Sequence, residues 1–297
     1  MTLPGRVRIV EVGPRDGLQN EPVVLPLTDR VAFIEQLAAA GCTDIEVAAF
    51  VRPDRVPQMA EAAELLAALP SLPDVRPIVL VPNAKGLERA LAAGARAIAV
   101  FTAASETFNQ KNVGRSIAAS LDDFRQIVSA AQAVGAWVRG YVSTAFVCPY
   151  EGPITPERVV PVVAALREMG VDEVSIGDTL GHAVPDDIAR LTEALLPLLP
   201  LAQFAYHLHD TRGTALANVE RALTYGISIY DASTGGIGGC PFAPGAAGNL
   251  ATERLVVRLE ERGIHTGLDP RKLAIAARWI GERLCGETAK PVTGRIG

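Results

Sequence analysis

What this chain has little of removes several classes of protein. No apolar run reaches the roughly 18 residues that would suggest a membrane span. No basic stretch occurs, and 28 Lys and Arg against 33 Asp and Glu give a net charge of −5, which argues against a nucleic-acid partner. The four cysteines, Cys42, Cys148, Cys240 and Cys285, are far apart and form no CxxC pair. That spacing argues against a disulfide framework and predicts a reducing, cytoplasmic setting. The N-terminal MTLPGRVRIVEVG enters strand-like alternation almost at once, so no secretory or transit peptide is expected. A GxGxxG turn after the first strand is missing, and so is any linker or low-complexity segment that would divide the 297 residues.

What is present is a regular alternation. Strand-like runs lie at 7–12, 44–49, 76–81, 97–102, 137–144, 173–177, 203–208 and 227–233. Helix-like segments fall between and after them at 28–40, 57–68, 84–93, 117–134, 156–169, 186–199, 214–225 and 250–262. Thr155-Pro156 reads as an N-cap with proline at the first helical position, and Ala-Ala-Gly closes two segments at 39–41 and 92–94. Strand followed by helix, eight times over, predicts the α/β class: a single (β/α)8 TIM barrel over about 6–262. An additional C-terminal helix at about 270–285 belongs to an extension over 263–297, the whole forming one domain. An open doubly wound sheet is the alternative, with fewer strands.

In such a barrel the chemistry gathers at the C-terminal ends of the strands, and polar residues fall there. The first strand ends in Gly13-Pro14-Arg15-Asp16-Gly17-Leu18-Gln19-Asn20, the second brings Glu46, the fifth Tyr141 and Ser143, and the sixth Asp178. Two of the four histidines sit in His207-Leu208-His209, where strand alternation points both imidazoles to the barrel mouth. Because strands 7, 8 and 1 adjoin in a closed barrel, Asp16 and Asn249 can reach the same point. Asp16, His207, His209 and Asn249 form a mixed nitrogen and oxygen set without thiolate, which suits Mg2+ or Mn2+ and fits structural zinc poorly. Each has a plainer alternative: Asp16 as a turn residue, Asn249 as the cap of the following helix, Asp178 and Glu46 as partners of arginines such as Arg15 or Arg139. The stretch GGIGGCPFAPGAAGN at 235–249, with six glycines around Cys240, is neither helix nor strand and reads as a loop that approaches a ligand closely.

Together VRIVEVGPRDGLQNEP, FVRPDRVPQMA, VRGYVSTAFVCPYEG, GDTLG, HLHDT and GGIGGCPFAPGAAGNLATE resemble the 3-hydroxy-3-methylglutaryl-CoA lyase family, over about residues 6–286. The resemblance implies cleavage of 3-hydroxy-3-methylglutaryl-CoA to acetyl-CoA and acetoacetate, as in leucine breakdown, by a metal-dependent barrel enzyme. It implies metal ligands at Asp16, His207, His209 and Asn249, substrate contact at Arg15, and a catalytic cysteine at Cys240, here read as the acid that protonates the acetyl-CoA enolate. Gln19 and Tyr141 are expected at the substrate. For the base that takes the C3 alcohol proton, the candidates are Asp178 first, then His207, with Glu46 in support. Three positions depart from the family pattern: Ala49, Arg212 and Gly236, of which Ala49 and Arg212 point to an altered pocket. The alternatives are therefore a lyase for another 3-hydroxyacyl-CoA, or a Claisen-condensing acyltransferase of the isopropylmalate or homocitrate synthase type. A hydrolase barrel is a weaker rival, since that class tends to carry HxH on its first strand, and so is a binding protein with a relic site. The oligomeric state is left open, with a homodimer as the expectation. Asn109-Gln110-Lys111-Asn112, read as a loop after the fourth strand, stands as one candidate for the CoA phosphates.

Overall fold

The structure is a computed structural model that describes residues 3–238 and 248–285. Eight parallel strands close into a barrel: β1 (Arg8–Glu11), β2 (Asp44–Ala49), β3 (Arg76–Leu80), β4 (Ala97–Ala103), β5 (Trp137–Ser143), β6 (Glu173–Asp178), β7 (Phe204–Leu208) and β8 (Ile229–Ala232). Each strand pairs with its successor, and β8 returns to β1 with Tyr230 opposite Ile9 and Asp231 opposite Val10. Closure leaves no exposed sheet edge. The period-two reading locates all eight strands to within two residues at each end.

The strands are rich in Val, Ile and Ala because both of their faces are covered; β2, for instance, is buried at all six positions. One core, with Ile45, Val79, Val100 and Val142, joins the strands to the helices, and a smaller cluster of Val10, Ile78, Ala99, Tyr141 and Ala205 fills the barrel. The outer layer comprises α1 (Leu27–Ala39), α2 (Ala62–Ala68), α3 (Ala84–Ala92), α4 (Glu106–Val113), α5 (Ile117–Ala133), α6 (Pro156–Glu168), α7 (Pro185–Leu195), α8 (Ala215–Leu223) and α9 (Thr252–Glu261). The Ala-Ala-Gly endings behave as read: Gly41 and Gly94, at φ 98° and 87°, take the left-handed conformation that stops α1 and α3. A final helix, α10 (Pro270–Cys285), lies on α1, where Phe33 and Trp279 stack at 6.4 Å and Leu273, Ala276 and Ile280 are buried. Each large apolar side chain so buried contributes about 2 kcal/mol.

Two local readings are corrected. The segment 57–68 is not one helix: a 3-10 turn at Pro57–Met59 precedes α2, and Glu61 between them sits at φ 59°. The run 109–112 is not a loop but part of α4, capped by Ser105, whose hydroxyl accepts from Phe108 N at 3.1 Å. Among the described residues no helix is long and apolar enough to cross a membrane.

Candidate active site

Residues Gly13–Gly17 leave β1 as a single π-helical turn, with Gly17 N donating to Val12 O at 3.1 Å. That turn carries Arg15 and Asp16 over the barrel mouth. Beyond β7, His209 continues the strand alternation and forms an antiparallel bridge with Asn249. The two features bring the metal-competent atoms together. One ligand atom each from Asp16, His207 and His209 lies within 4.8 Å of the others, with the two Nε2 atoms 3.2 Å apart and His207 Nε2 3.8 Å from Asp16 Oδ2. Asn249 Nδ2 donates to Asp16 Oδ2 at 2.9 Å, and a half-turn of the amide presents its oxygen at the same place. Asn249 is not the cap of α9; that position is Ala251.

The protonation states suit a cation. Burial pushes the Asp16 carboxyl up, but the Arg15 guanidinium, both imidazoles and the Asn249 amide overcome it and bring it down to about 2. Burial, reinforced by the neighbouring His207, lowers His209 to about 4, so it is neutral near pH 7. Burial also disfavours charge on His207, but the hydrogen bond to Asp231 and the Asp16 charge outweigh it and raise its affinity for a proton. With His207 Nδ1 held 3.2 Å from Asp231 Oδ2, Nε2 is the nitrogen that faces the cluster. An ionised carboxylate, two imidazole Nε2 atoms and an amide fit a divalent cation.

Beside the cluster opens a cavity of about 390 Å³. Arg15, Asp16, Gln19, Tyr141 and His207 line its inner end, and Val56, Leu80, Phe101 and Val113 contribute apolar wall. Arg15 bridges two carboxylates, with Nη1 2.8 Å from Asp16 Oδ1 and Nη2 2.9 Å from Glu46 Oε2. Burial disfavours its charge, but Glu46 and Asp16 hold the guanidinium firmly protonated. Its buried Nε has no hydrogen-bond partner. Gln19 Nε2 donates to Asp16 Oδ1 at 3.2 Å.

The other candidates are placed differently from expectation. Glu46 is fully buried, does not line the cavity, and accepts from Arg15 and from the Tyr141 hydroxyl at 2.9 Å. Its part is to hold Arg15. Tyr141 lines the cavity with its ring, but its hydroxyl is taken, donating to Glu46 and accepting from Arg139 at 2.7 Å. Asp178 does not line the cavity either: its carboxylate accepts from His182 N at 3.1 Å and Ala183 N at 2.9 Å, bracing the loop after β6. Burial outweighs those bonds and raises it to about 6. Asp178→Ala is expected to lower the unfolding free energy by about 2 kcal/mol, since a buried and a part-buried backbone donor lose their acceptor. A denaturant titration checks this, and an unchanged midpoint and slope would refute it.

Asn109 is fully buried and spends its amide on Arg115 O and Ser120 Oγ, both at 2.9 Å, so it is not a phosphate contact; Asn112 does line the cavity. Neither Ala49 nor Arg212 is among the residues that line this cavity. Cys240 lies outside the described residues. The residues before it are closely fitted: Gly235, Gly236 and Gly238 all have positive φ, and a Cβ on Gly238 would stand 2.7 Å from Asn249 Nδ2 and 2.9 Å from Gly17 Cα. Only glycine fits that approach.

Residue-by-residue reading passed over Asp231 behind His207, and with it Ser175, Glu173 and the role of Arg139. The signal was available: Asp231 and Arg139 are the charged residues of their strands.

A closed (β/α)8 barrel with carboxylate, imidazole and amide donors converging on its C-terminal rim defines a barrel enzyme equipped to hold a cation. The HMGL-like family model matches residues 6–280. The mitochondrial hydroxymethylglutaryl-CoA lyase of Pongo abelii is 48% identical over 291 residues, covering 98% of this chain and 90% of that protein. Hydroxymethylglutaryl-CoA lyase YngG of Bacillus subtilis is 44% identical over 295 residues, covering 99% and 97%. Among solved structures, a Bacillus subtilis HMG-CoA lyase superposes with a TM-score of 0.94 at 45% identity, over 96% of this chain and 95% of that one. An HMG-CoA lyase from Acinetobacter baumannii, in complex with coenzyme A and 3-methylmalate, gives a TM-score of 0.92 at 35% identity, over 100% and 97%. The chain belongs to the HMGL-like family.

Proposed function

We propose that this protein cleaves 3-hydroxy-3-methylglutaryl-CoA to acetyl-CoA and acetoacetate, using a divalent cation, Mg2+ or Mn2+, held by Asp16, His207, His209 and Asn249. The observation that carries the reading is the convergence of an ionised Asp16 with the Nε2 atoms of His207 and His209, of which Asp16 and His207 also line the cavity. A bound cation there lowers the pKa of the C3 alcohol and fixes the substrate.

The chain's own residues do the rest. His207, as a ligand through Nε2 with Asp231 on its Nδ1, has no lone pair left for the alcohol proton, and Asp231 orients its ring. The carboxylates of Asp178, first, and Glu46 are the candidate acceptors, although neither lines this cavity. As the C2–C3 bond breaks, its electron pair passes to the thioester enolate and C3 becomes the ketone of acetoacetate. Arg15, forked and permanently charged, stabilises the enolate oxygen. The thiol of Cys240 then gives its proton to the enolate carbon, completing acetyl-CoA.

The test is acetoacetate release from 3-hydroxy-3-methylglutaryl-CoA by chelator-stripped protein. Cleavage restored by Mg2+ or Mn2+ supports the reading, and cation binding without cleavage overturns it. Recognition of the CoA part gives a second expectation. Arg55 lines the cavity and is exposed, while Asp54 beside it is bound by Arg52 at 3.1 and 2.6 Å. Arg55→Ala is expected to raise KM for the CoA ester up to about 5-fold, the range of an exposed ion pair, with kcat unchanged. The same substitution should leave KM for a pantetheine thioester, which lacks the CoA diphosphate and 3′-phosphate, as it was.

A further inference from the structure

Inside the barrel, below the ligand cluster, lies a fully buried arginine. Arg139 projects from the middle of β5, with no exposed surface, and divides its guanidinium among three neighbours. Nη2 is 2.5 Å from Asp231 Oδ1, Nη1 donates to the Tyr141 hydroxyl at 2.7 Å, and Nε is 2.8 Å from Glu173 Oε1. Two arms of polar contacts run upward from it. One passes through Asp231, which also accepts from Ser175 at 2.8 Å, to His207 Nδ1 at 3.2 Å. The other passes through Tyr141 to Glu46, then to Arg15 and on to Asp16, by steps of 2.9, 2.9 and 2.8 Å. Every member is buried or nearly so, and the two arms end on two different members of the proposed ligand set.

A buried charge network of this kind is poor value as a stabiliser, since desolvation offsets most of the attraction. Its geometry suits another purpose. A guanidinium is a rigid planar fork, so the direction in which it holds Asp231 sets the direction in which it meets Tyr141. From this geometry we infer that Arg139 is a positioning residue shared by both halves of the metal site. It orients His207 through Asp231 and Asp16 through Tyr141, Glu46 and Arg15, so that one half of the cradle is not set independently of the other. The inference rests on the ligand assignment made above. Partners behind the ligands commonly govern metal affinity by about 10–100-fold, and here a single residue stands behind two.

The test is Mn2+ affinity of the substrate-free protein, read by the loss of the free-ion paramagnetic resonance signal, with thermal unfolding of the metal-free form alongside. Asp231→Asn cuts one arm and Tyr141→Phe the other; Phe keeps the edge-on ring contact with His207 at 6.2 Å, so the hydroxyl link to Arg139 and Glu46 is what that change removes. Asp231→Asn is expected to weaken Mn2+ binding about 10-fold, and Tyr141→Phe to weaken it by a smaller factor. The double variant should lose much less than the product of the two, because cutting either arm already releases the fork from the plane that serves the other. Arg139→Lys, which keeps the charge but not the fork, should match the double variant. Losses that multiply independently would overturn the inference, as would lower unfolding temperatures with Mn2+ affinity unchanged. Failure of the underlying ligand assignment looks different: His207→Ala would then bind Mn2+ as tightly as the parent.

Discussion

Asp16→Asn is expected to remove divalent-cation binding and turnover together. The substitution preserves shape, so the effect reports charge. In the structure this carboxylate is the point where the site meets: it takes Arg15 and Gln19 on Oδ1, Asn249 on Oδ2, and stands 3.8 Å from His207 Nε2. Without its charge the cradle keeps only neutral donors, two imidazoles and two amides, beside a permanently positive Arg15. Cation affinity should fall by more than about 100-fold, since losing a mere outer partner already accounts for 10–100-fold. Titrating the metal-free variant with Mn2+ measures this directly, and affinity within a few-fold of the parent would exclude Asp16 as a ligand. The fold should survive, because Arg15 retains Glu46 as its buried counter-ion.

Arg15→Met separates chemistry from metal binding. Loss of one preorganised charge at a developing oxyanion typically costs about 3 kcal/mol, so kcat should fall by about 10²–10³. Mn2+ affinity should fall far less, because Asp16, His207, His209 and Asn249 are all still present. The variant also strands Glu46, which has no exposed surface, and a buried charge without its partner costs about 3–5 kcal/mol of stability. Thermal unfolding must therefore accompany the kinetics, and Glu46→Gln in the Arg15→Met background should recover stability without recovering kcat. Equal losses in kcat and cation affinity would mean that Arg15 acts only by holding Asp16.

Arg15, Asp16 and Asp178 are all polar groups at the ends of barrel strands, yet the structure sends them different ways. Arg15 and Asp16 line the cavity; Asp178 turns into its own loop and braces His182 and Ala183. Strand alternation fixes the side of the sheet a residue leaves from, but past the strand end the backbone turns, and the direction of a side chain is set by the loop it serves. Asn109 failed for a related reason. A polar run carries no apolar stripe, so α4 escaped the helical pattern, although Ser105 and Gly114 mark its two ends.

By itself the sequence determined the barrel and its strands, because strand and helix periods are local properties of the chain, and it pointed to the proposed ligand set because closure brings strands 7, 8 and 1 side by side. Only the tertiary structure decided which polar residues support that set. Asp231 and Arg139 are 92 positions apart, and Arg15 and Glu46 are 31 apart. Their pairing follows from the register of the closed sheet and from what the barrel interior admits: charge removed from water must find its partner among the few other inward side chains, and that partner is chosen in space.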